Sequence, residues 1–483
     1  MSTPSIAIIG SGFGGLAAAI ELKKRGHHDL VILEKAQDVG GVWRENTYPG
    51  AACDVPSPFY SYSFEPNPRW PHRFSRQPAI LDYIHHVVEK YDLRRHLRFG
   101  AEVTHAAYDD ATRRWTVTLA DGEALEVDVL VSAVGQLSRP VVADIPGRDS
   151  FAGPAFHSAT WDHDVDLTGK RVAVIGTGAS AIQFVPAIQP VVGKLSVFQR
   201  TAPYLLPRAD QKFSERHHTV FEKLPVTELA ERGTWYATVE SLSIAWVYAK
   251  PLAALLRRIS RIHMKRQAKA VPGLFEKVWP TYPIGCKRVL FSNDYLPALT
   301  QPNVDLVTER IAAITPRGVQ TEDGTLHEAD VLVWGTGFAA TEFLAPMSVT
   351  GAGGRSLHDD AWKDGAHAYY GMSVPGFPGL QILYGPNTNT GGGSVIYFLE
   401  AQAKHLGAYV DAMVAAGAPL DVRPEVEAAY DAEVQAELTG SVWTACHSWY
   451  RQGDGRITTN WPWLGAQYRA RVKFRAEDYQ PVT

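Results

Sequence analysis

The chain of 483 residues, 45% hydrophobic and 20% charged, has the composition of an ordinary globular protein and is long enough for about three domains of ~150 residues. A formal charge of -4 offers no basic face to nucleic acid. The longest apolar run, Leu242 to Leu256, is interrupted by Lys250 and Pro251 and falls short of the ~20 residues of a membrane-spanning helix, so it reads as a buried or channel-lining helix with no stable membrane insertion, the alternative being a surface patch that grazes a membrane.

The opening MSTPSIAIIGSG enters a strand at once, without the basic region and cleavage site of a signal peptide. Ile6 to Ile9 is apolar on both faces, as in a buried parallel strand, and runs into Gly10-Ser11-Gly12-Phe13-Gly14-Gly15 and a helix from Leu16 to Lys24. In such a turn Gly10 permits the bend, Gly12 lets backbone approach a pyrophosphate, and Gly15 lets helix and strand pack closely. Leu30 to Leu33 is the next strand, and Glu34 at its end sits where an acid holds the ribose hydroxyls of an adenine dinucleotide. Gly40 to Asp54, GGVWRENTYPGAACD, follows, with Gly41, Trp43 and Asp54 in it and Tyr60 just downstream. Residues Ala101 to Leu119 and Leu125 to Val134 flank the turn Asp121-Gly122, which predicts a small antiparallel excursion and a return to the main sheet. Pro140, Pro146 and Gly147 mark a boundary.

Phe151, Gly153, His157, Trp161 and Asp162 then fall within twelve positions, F-x-G-x-x-x-H-x-x-x-W-D, directly before a second nucleotide turn. That turn is Gly176-Thr177-Gly178-Ala179-Ser180-Ala181, after the strand Arg171 to Ile175; alanine is an accepted third residue. The following strand, Leu195 to Phe198, ends in Gln199-Arg200-Thr201 where an NAD-binding chain presents a carboxylate. An arginine there accommodates a 2'-phosphate, so the second nucleotide is expected to be NADPH. From about Asp210 to Val278 the pattern turns helical: Phe213 to Leu224, Val226 to Lys250 and Leu252 to Ala270. Pro283-Ile284-Gly285-Cys286-Lys287-Arg288 precedes a returning strand, and Ala329 to Trp334 leads back through Gly335-Thr336-Gly337-Phe338, echoing the Val134-Gly135 crossing. A strand from Gly376 to Tyr384 and the loop GPNTNTGGG precede a helix from Ser394 to Ala415, and CHSWY ends in Trp449-Tyr450.

Two patterns carry a resemblance. The twelve-residue run ending in Trp161-Asp162, together with the Gly40 to Asp54 segment, is similar to the paired fingerprints of the flavin-dependent Baeyer-Villiger monooxygenases. The tryptophan distinguishes them from their sulfur- and nitrogen-oxidising flavin cousins. The resemblance implies an α/β fold of two Rossmann-like dinucleotide-binding domains, for FAD and NADPH, the second inserted into the first, with a helical insertion. Expected spans are 1–147 and 331–483 for the FAD domain and C-terminal segment, 148–208 and 281–330 for the NADPH domain, and 209–280 for the helices that cap the substrate entrance. It implies that Gly10, Gly12, Gly15, Glu34, Gly41, Trp43, Asp54, Tyr60 and Val103 hold FAD, that Thr177, Gly178, Ser180, Arg200, Thr201 and Lys287 hold NADPH, and that Trp449 lies near the nicotinamide. Arg288 and Asp54 are the implied catalytic pair, stabilising a C4a-peroxyflavin that attacks a ketone to give an ester or lactone. Many relatives carry arginine where this chain has Ala52. The N-terminal end of the helix from Ser394 would face negative charge on the reduced flavin, against the simpler view of a flexible glycine loop.

Cys53, Cys286 and Cys446 are odd in number and far apart, so neither a disulfide framework nor a C-x-x-C site is expected, and a reducing, cytoplasmic setting follows. No metal or hydrolase motif is present. Without redox cysteines, oxygen is the natural acceptor for electrons from a flavin and NADPH. The rival readings are a heteroatom monooxygenase of the same architecture and a flavin protein that senses nucleotide without turnover. The ketone and the oligomeric state are not readable from these residues.

Overall fold

The computed structural model describes residues 3–446, 448, 450 and 455–482. Ile6–Ile9, Leu30–Glu34 and Val129–Ser132 are almost wholly buried, as strands covered by helices on both faces must be. They form the middle of a five-stranded sheet in the order Leu380–Ile382, Val129–Ser132, Ile6–Ile9, Leu30–Glu34, Leu97–Phe99, parallel throughout. The helices Phe13–Lys24 and Val395–Ala416 pack together beside it. Beyond Asp121-Gly122 the expected excursion is a four-stranded sheet: Val103–Asp109, Arg114–Leu119 and Ala124–Val127 are antiparallel, and Ser348–Thr350 adds to its edge.

A second parallel sheet has the order Val304–Val307, Lys194–Phe198, Arg171–Ile175, Val331–Trp334, Ala155–His157. All five strands fall in sequence between Val129–Ser132 and Leu380–Ile382, which are neighbours in the first sheet. The two chain crossings run side by side: Val141 N donates to Gly337 O at 2.9 Å, Ala339 N to Arg139 O at 3.0 Å, and Arg139 pairs with Glu342. One boundary needs correction. Val331–Trp334 was expected to belong to the first domain, but it hydrogen-bonds with Arg171–Ile175, so the crossing starts at Gly335 rather than after residue 330.

The helical segment comprises Glu215–Lys223, Pro225–Val247, Lys250–Ala268 and Leu274–Val278. The apolar run Leu242 to Leu256 is therefore two helix ends joined at Tyr248-Ala249 rather than one buried helix, and Tyr248 and Leu255 are more than half exposed. Among the described residues no single helix is long and apolar enough to cross a membrane.

The loop that carries Asp54 is docked on the second unit. Gln183, on the helix Ala181–Ile188, accepts from Tyr48 Oη at 3.0 Å and Ala52 N at 3.1 Å, and donates to Ala52 O at 3.0 Å. Tyr48 also meets Phe184, which meets Trp161.

The expectation of unpaired cysteines is overturned, because Cys286 and Cys446 form a disulfide across 160 positions while Cys53 is free and buried. Spacing could not show this, since folding brings the two segments together. The chain-entropy effect of closing so long a loop is on the order of 5 kcal/mol. In denaturant without reductant a thiol reagent should titrate one cysteine, and all three after reduction; three without reductant would show that the bridge does not form. Gln183→Ala removes three hydrogen bonds between the units and should lower stability by about 1–3 kcal/mol, read as an earlier denaturation midpoint with FAD content unchanged.

Candidate active site

The first nucleotide turn is shaped by contacts that forbid side chains. Gly10 has φ +100°, and a Cβ there would sit 2.7 Å from Ala133 O. Gly12 faces Gly41, where a Cβ would approach the Gly12 Cα to 3.3 Å. The result is a bare slot at the N-terminus of Phe13–Lys24, where backbone N–H groups and the helix dipole favour a pyrophosphate. Buried Glu34 accepts from Ser11 N at 3.1 Å and Ser11 Oγ at 2.6 Å, which fixes its carboxylate beside the turn. Ala101 N donates to Glu34 O at 2.9 Å, so Val103 starts its strand next to this edge. Trp43 Nε1 donates to Tyr60 Oη at 3.2 Å, and Phe13 packs edge-on to the Tyr60 ring. Gly10, Gly12, Gly15, Glu34 and Gly41 are thus gathered at this turn, with the Trp43–Tyr60 pair packed on Phe13 and Val103 at the start of the adjoining strand, and the donors and aromatic rings suit an adenine dinucleotide carrying a flat ring.

At the second turn Thr177 Oγ1 donates to Thr201 O at 3.1 Å, Gly178 has open space where a side chain would be, and Ser180 leads into Ala181–Ile188. Arg200 is exposed at the end of Lys194–Phe198, and no described carboxylate pairs with it. Burial, and then the charge of Arg200, hold the Lys287 ammonium below its ordinary pKa. Two cations converging without a carboxylate suit a bound phosphate, which would supply the missing counter-charge.

Lys287 is followed by the centre of the site. Arg288 donates to Asp54 in a bidentate arrangement, from Nη2 to Oδ1 at 2.8 Å and Oδ2 at 2.7 Å and from Nε to Oδ2 at 3.1 Å. The carboxylate raises the guanidinium pKa further, so the group stays cationic at any working pH. Nη1 makes no hydrogen bond among the described residues, and the side chain is 35% exposed, so one edge of the fork is free.

Both partners are held from behind. Cys53 N donates to Ser75 O and Arg208 Nη2 donates to Cys53 O, fixing the residue before Asp54. Cys286, two residues before Arg288, is tied to Cys446. Tyr384 donates to Asn389 Oδ1 at 3.0 Å; its hydroxyl is pushed up to about 12 by burial, and that of Tyr450 likewise, while the Arg288 charge opposes both shifts.

The GPNTNTGGG loop is not loose. Asn387 N donates to Thr458 O, Asn389 N to Thr459 O and Trp461 N to Asn389 O, so Asn387 to Asn389 are zipped onto the later segment. A narrow, partly open crevice lies beside it, walled by Phe59, Tyr236, Trp443, Trp461 and Trp463 and by Gly391, Gly393 and Ser394. The hydroxyl of Ser394, the residue that starts Val395–Ala416, is buried there with no partner among the described residues.

The fingerprint that ends in Trp161-Asp162 lies elsewhere, and none of its side chains touches Arg288 or Asp54. Phe151 packs under the second sheet, and Gly153 abuts Asp330 O, where a Cβ would come to 2.3 Å. His157 Nδ1 accepts from Ala159 N at 3.0 Å, and its ring meets Phe338 in the returning crossing. Trp161 is buried against Phe156 and Phe184, and Asp162 accepts from Asp164 N in a surface turn. These residues orient the two units. Trp449 lies outside the described residues. Sequence reasoning missed Tyr384, Gln183 and the disulfide; of these only Tyr384 had a signal, its place at the carboxyl end of a strand.

Residues 4–233 match the family model described as pyridine nucleotide-disulphide oxidoreductase. A Baeyer-Villiger monooxygenase from Streptomyces coelicolor is 44% identical over 97% of this chain and 90% of its own length, and one from Pseudomonas aeruginosa is 41% identical over 99% and 91%. Among solved structures, an oxidised steroid monooxygenase bound to NADP covers 97% of each chain with TM-score 0.86 and 29% identity, and a closed cyclohexanone monooxygenase covers 100% of this chain and 99% of its own with TM-score 0.86 and 28% identity. With two glycine turns, an Arg288–Asp54 pair between them and relatives matching nearly end to end, the chain belongs to the Baeyer-Villiger monooxygenases.

Proposed function

We propose that this enzyme binds FAD in the Gly12–Gly41 slot and NADPH at the second turn, and uses O2 to convert a ketone to an ester or lactone, with Arg288 as its catalytic cation and Asp54 as the group that orients it. Bound flavin, reduced by NADPH, supplies the oxygen activation; the chain supplies position and electrostatics. The observation that carries the reading is the asymmetric fork of Arg288. Nε and Nη2 are spent on Asp54, while Nη1 makes no hydrogen bond among the described residues.

A fixed donor of this kind stabilises negative oxygen as it develops, because it needs no reorganisation when charge appears. Since Asp54 anchors the other edge, Arg288 keeps its orientation as a substrate oxygen arrives. The neutral hydroxyls of Tyr384 and Tyr450 surround the pair without adding charge. Arg200 and Lys287 favour the phosphorylated coenzyme. Ala52, where the family resemblance leads one to expect arginine, offers its backbone N–H and C=O to Gln183, so this position adds no cation beside Arg288. The proposed partners are a small ketone and O2. A cytoplasmic location is proposed on the need for NADPH alone, because the cysteines no longer argue for it.

Arg288→Ala should leave FAD bound and reducible by NADPH but lower ester formation by at least about 100-fold, checked by product mass with an oxygen-18 label. Ester at the parental rate would remove Arg288 from the mechanism. Arg200→Gln should raise KM for NADPH about tenfold or more, the loss of a charge-assisted phosphate contact, with KM for NADH nearly unchanged. Equal effects on both coenzymes would place the phosphate elsewhere.

A further inference from the structure

The helical segment carries a surface that the reaction does not use. Of thirteen exposed large apolar side chains among the described residues, nine lie between Val220 and Val271. Three of them, Leu255, Ile259 and Ile262, sit at i, i+4 and i+7 on Lys250–Ala268 and are 51%, 37% and 60% exposed. That spacing puts them in one stripe along a helix face. The opposite face, Ser260, Met264 and Ala268, is buried against the protein, so the stripe has no cover among the described residues.

The same helix is strongly basic. It contains Lys250, Arg257, Arg258, Arg261, Lys265 and Arg266, Lys269 follows it, and there is no Asp or Glu in it, in a chain whose net charge is -4. Arg257 turns inward, over the Trp279 ring. Arg258, Arg261, Lys265, Arg266 and Lys269 are exposed, and none pairs with a described carboxylate. At 100° per residue Arg258, Arg266 and Lys269 fall on or beside the apolar stripe, with Lys265 at its margin. An apolar stripe edged by unpaired cations, on a helix of low overall hydrophobicity, is the pattern of a helix lying in the plane of a bilayer surface. Two copies of this face would bring like charges together, and a nucleic acid would leave the apolar stripe unused. Anionic lipid complements both features.

We infer that the outer face of Lys250–Ala268 docks the enzyme on an anionic membrane surface, without crossing it. The preceding helix, Pro225–Val247, contributes Tyr236, Val239 and Ser243 to the aromatic crevice.

The test is co-sedimentation of the full-length FAD-loaded enzyme with vesicles of phosphatidylcholine alone or with about one third phosphatidylglycerol. At low salt most protein should pellet with the anionic vesicles, falling about fivefold or more with phosphatidylcholine alone or at high salt, where screening is short-ranged. Leu255→Glu, Ile259→Glu and Ile262→Glu together should abolish pelleting, with an unchanged melting temperature and unchanged turnover of a small water-soluble ketone. Arg258→Glu with Arg266→Glu should weaken binding to anionic vesicles only. Protein that stays in the supernatant with anionic vesicles at low salt overturns the inference, as does pelleting that the triple variant leaves intact. A dimer that the triple variant dissociates, without vesicle binding by the parent, assigns the face to a second copy instead. Because vesicle binding is read without turnover, its failure leaves the proposed reaction standing, and the reverse.

Discussion

A guanidinium that must meet developing negative charge cannot be left to find its own orientation, and Asp54 removes that freedom by taking two of its nitrogens at 2.7 to 3.1 Å. The pair joins positions 234 residues apart, so it exists only when the first nucleotide unit and the segment returning from the second are both in place. Much of the rest can be understood as support for this contact. Gln183 and Arg208 hold the carboxylate's loop, and the Cys286–Cys446 bridge holds the residue two before the arginine. An exposed ion pair would contribute little. Here its value lies in geometry, because a fork gripped on one side presents its other side at a fixed angle.

The arrangement of the two units follows from the paired crossings. Residues 139–141 and 337–339 form a short antiparallel ladder, and a two-strand tether resists twisting more than a single one. His157 against Phe338 and the relay Trp161, Phe184, Tyr48 fasten the inserted unit on either side of it. Residues of the twelve-position fingerprint thus act at a distance from the chemistry, and their fixed spacing reflects packing at a joint rather than contact with a reacting atom.

The glycine turns and the acid or arginine at the following strand end were legible in the sequence because backbone geometry dictates them locally: only glycine fits where Gly10 meets Ala133 O or where Gly15 meets Gly10 O. The proposed catalytic pair was legible only through resemblance, since an isolated Lys-Arg or a turn aspartate has many ordinary uses. What stayed hidden depends on long-range closure. Cys286 and Cys446 carry no local sign of each other, and Gln183 is one polar residue on a helix until the Asp54 loop docks on it. The boundary near residue 330 was misjudged because a buried parallel strand reads the same in either sheet, and only pairing assigns Val331–Trp334 to the second.

The order of strands in the first sheet also bears on how the chain matures. Val129–Ser132 is an inner strand whose outer neighbour, Leu380–Ile382, lies some 250 residues later in the chain, whereas every strand of the second sheet lies between Ala155 and Trp334. During synthesis, with domains folding as units while the chain emerges, the inserted unit can close its sheet before the unit that encloses it. The enclosing sheet waits with one edge open until the ribosome has delivered most of the polypeptide. The nascent protein can therefore pass through a stage in which its middle portion is folded while the sheet that encloses it still has one edge open, and chaperones that shield open strand edges would act on the amino-terminal unit during that interval.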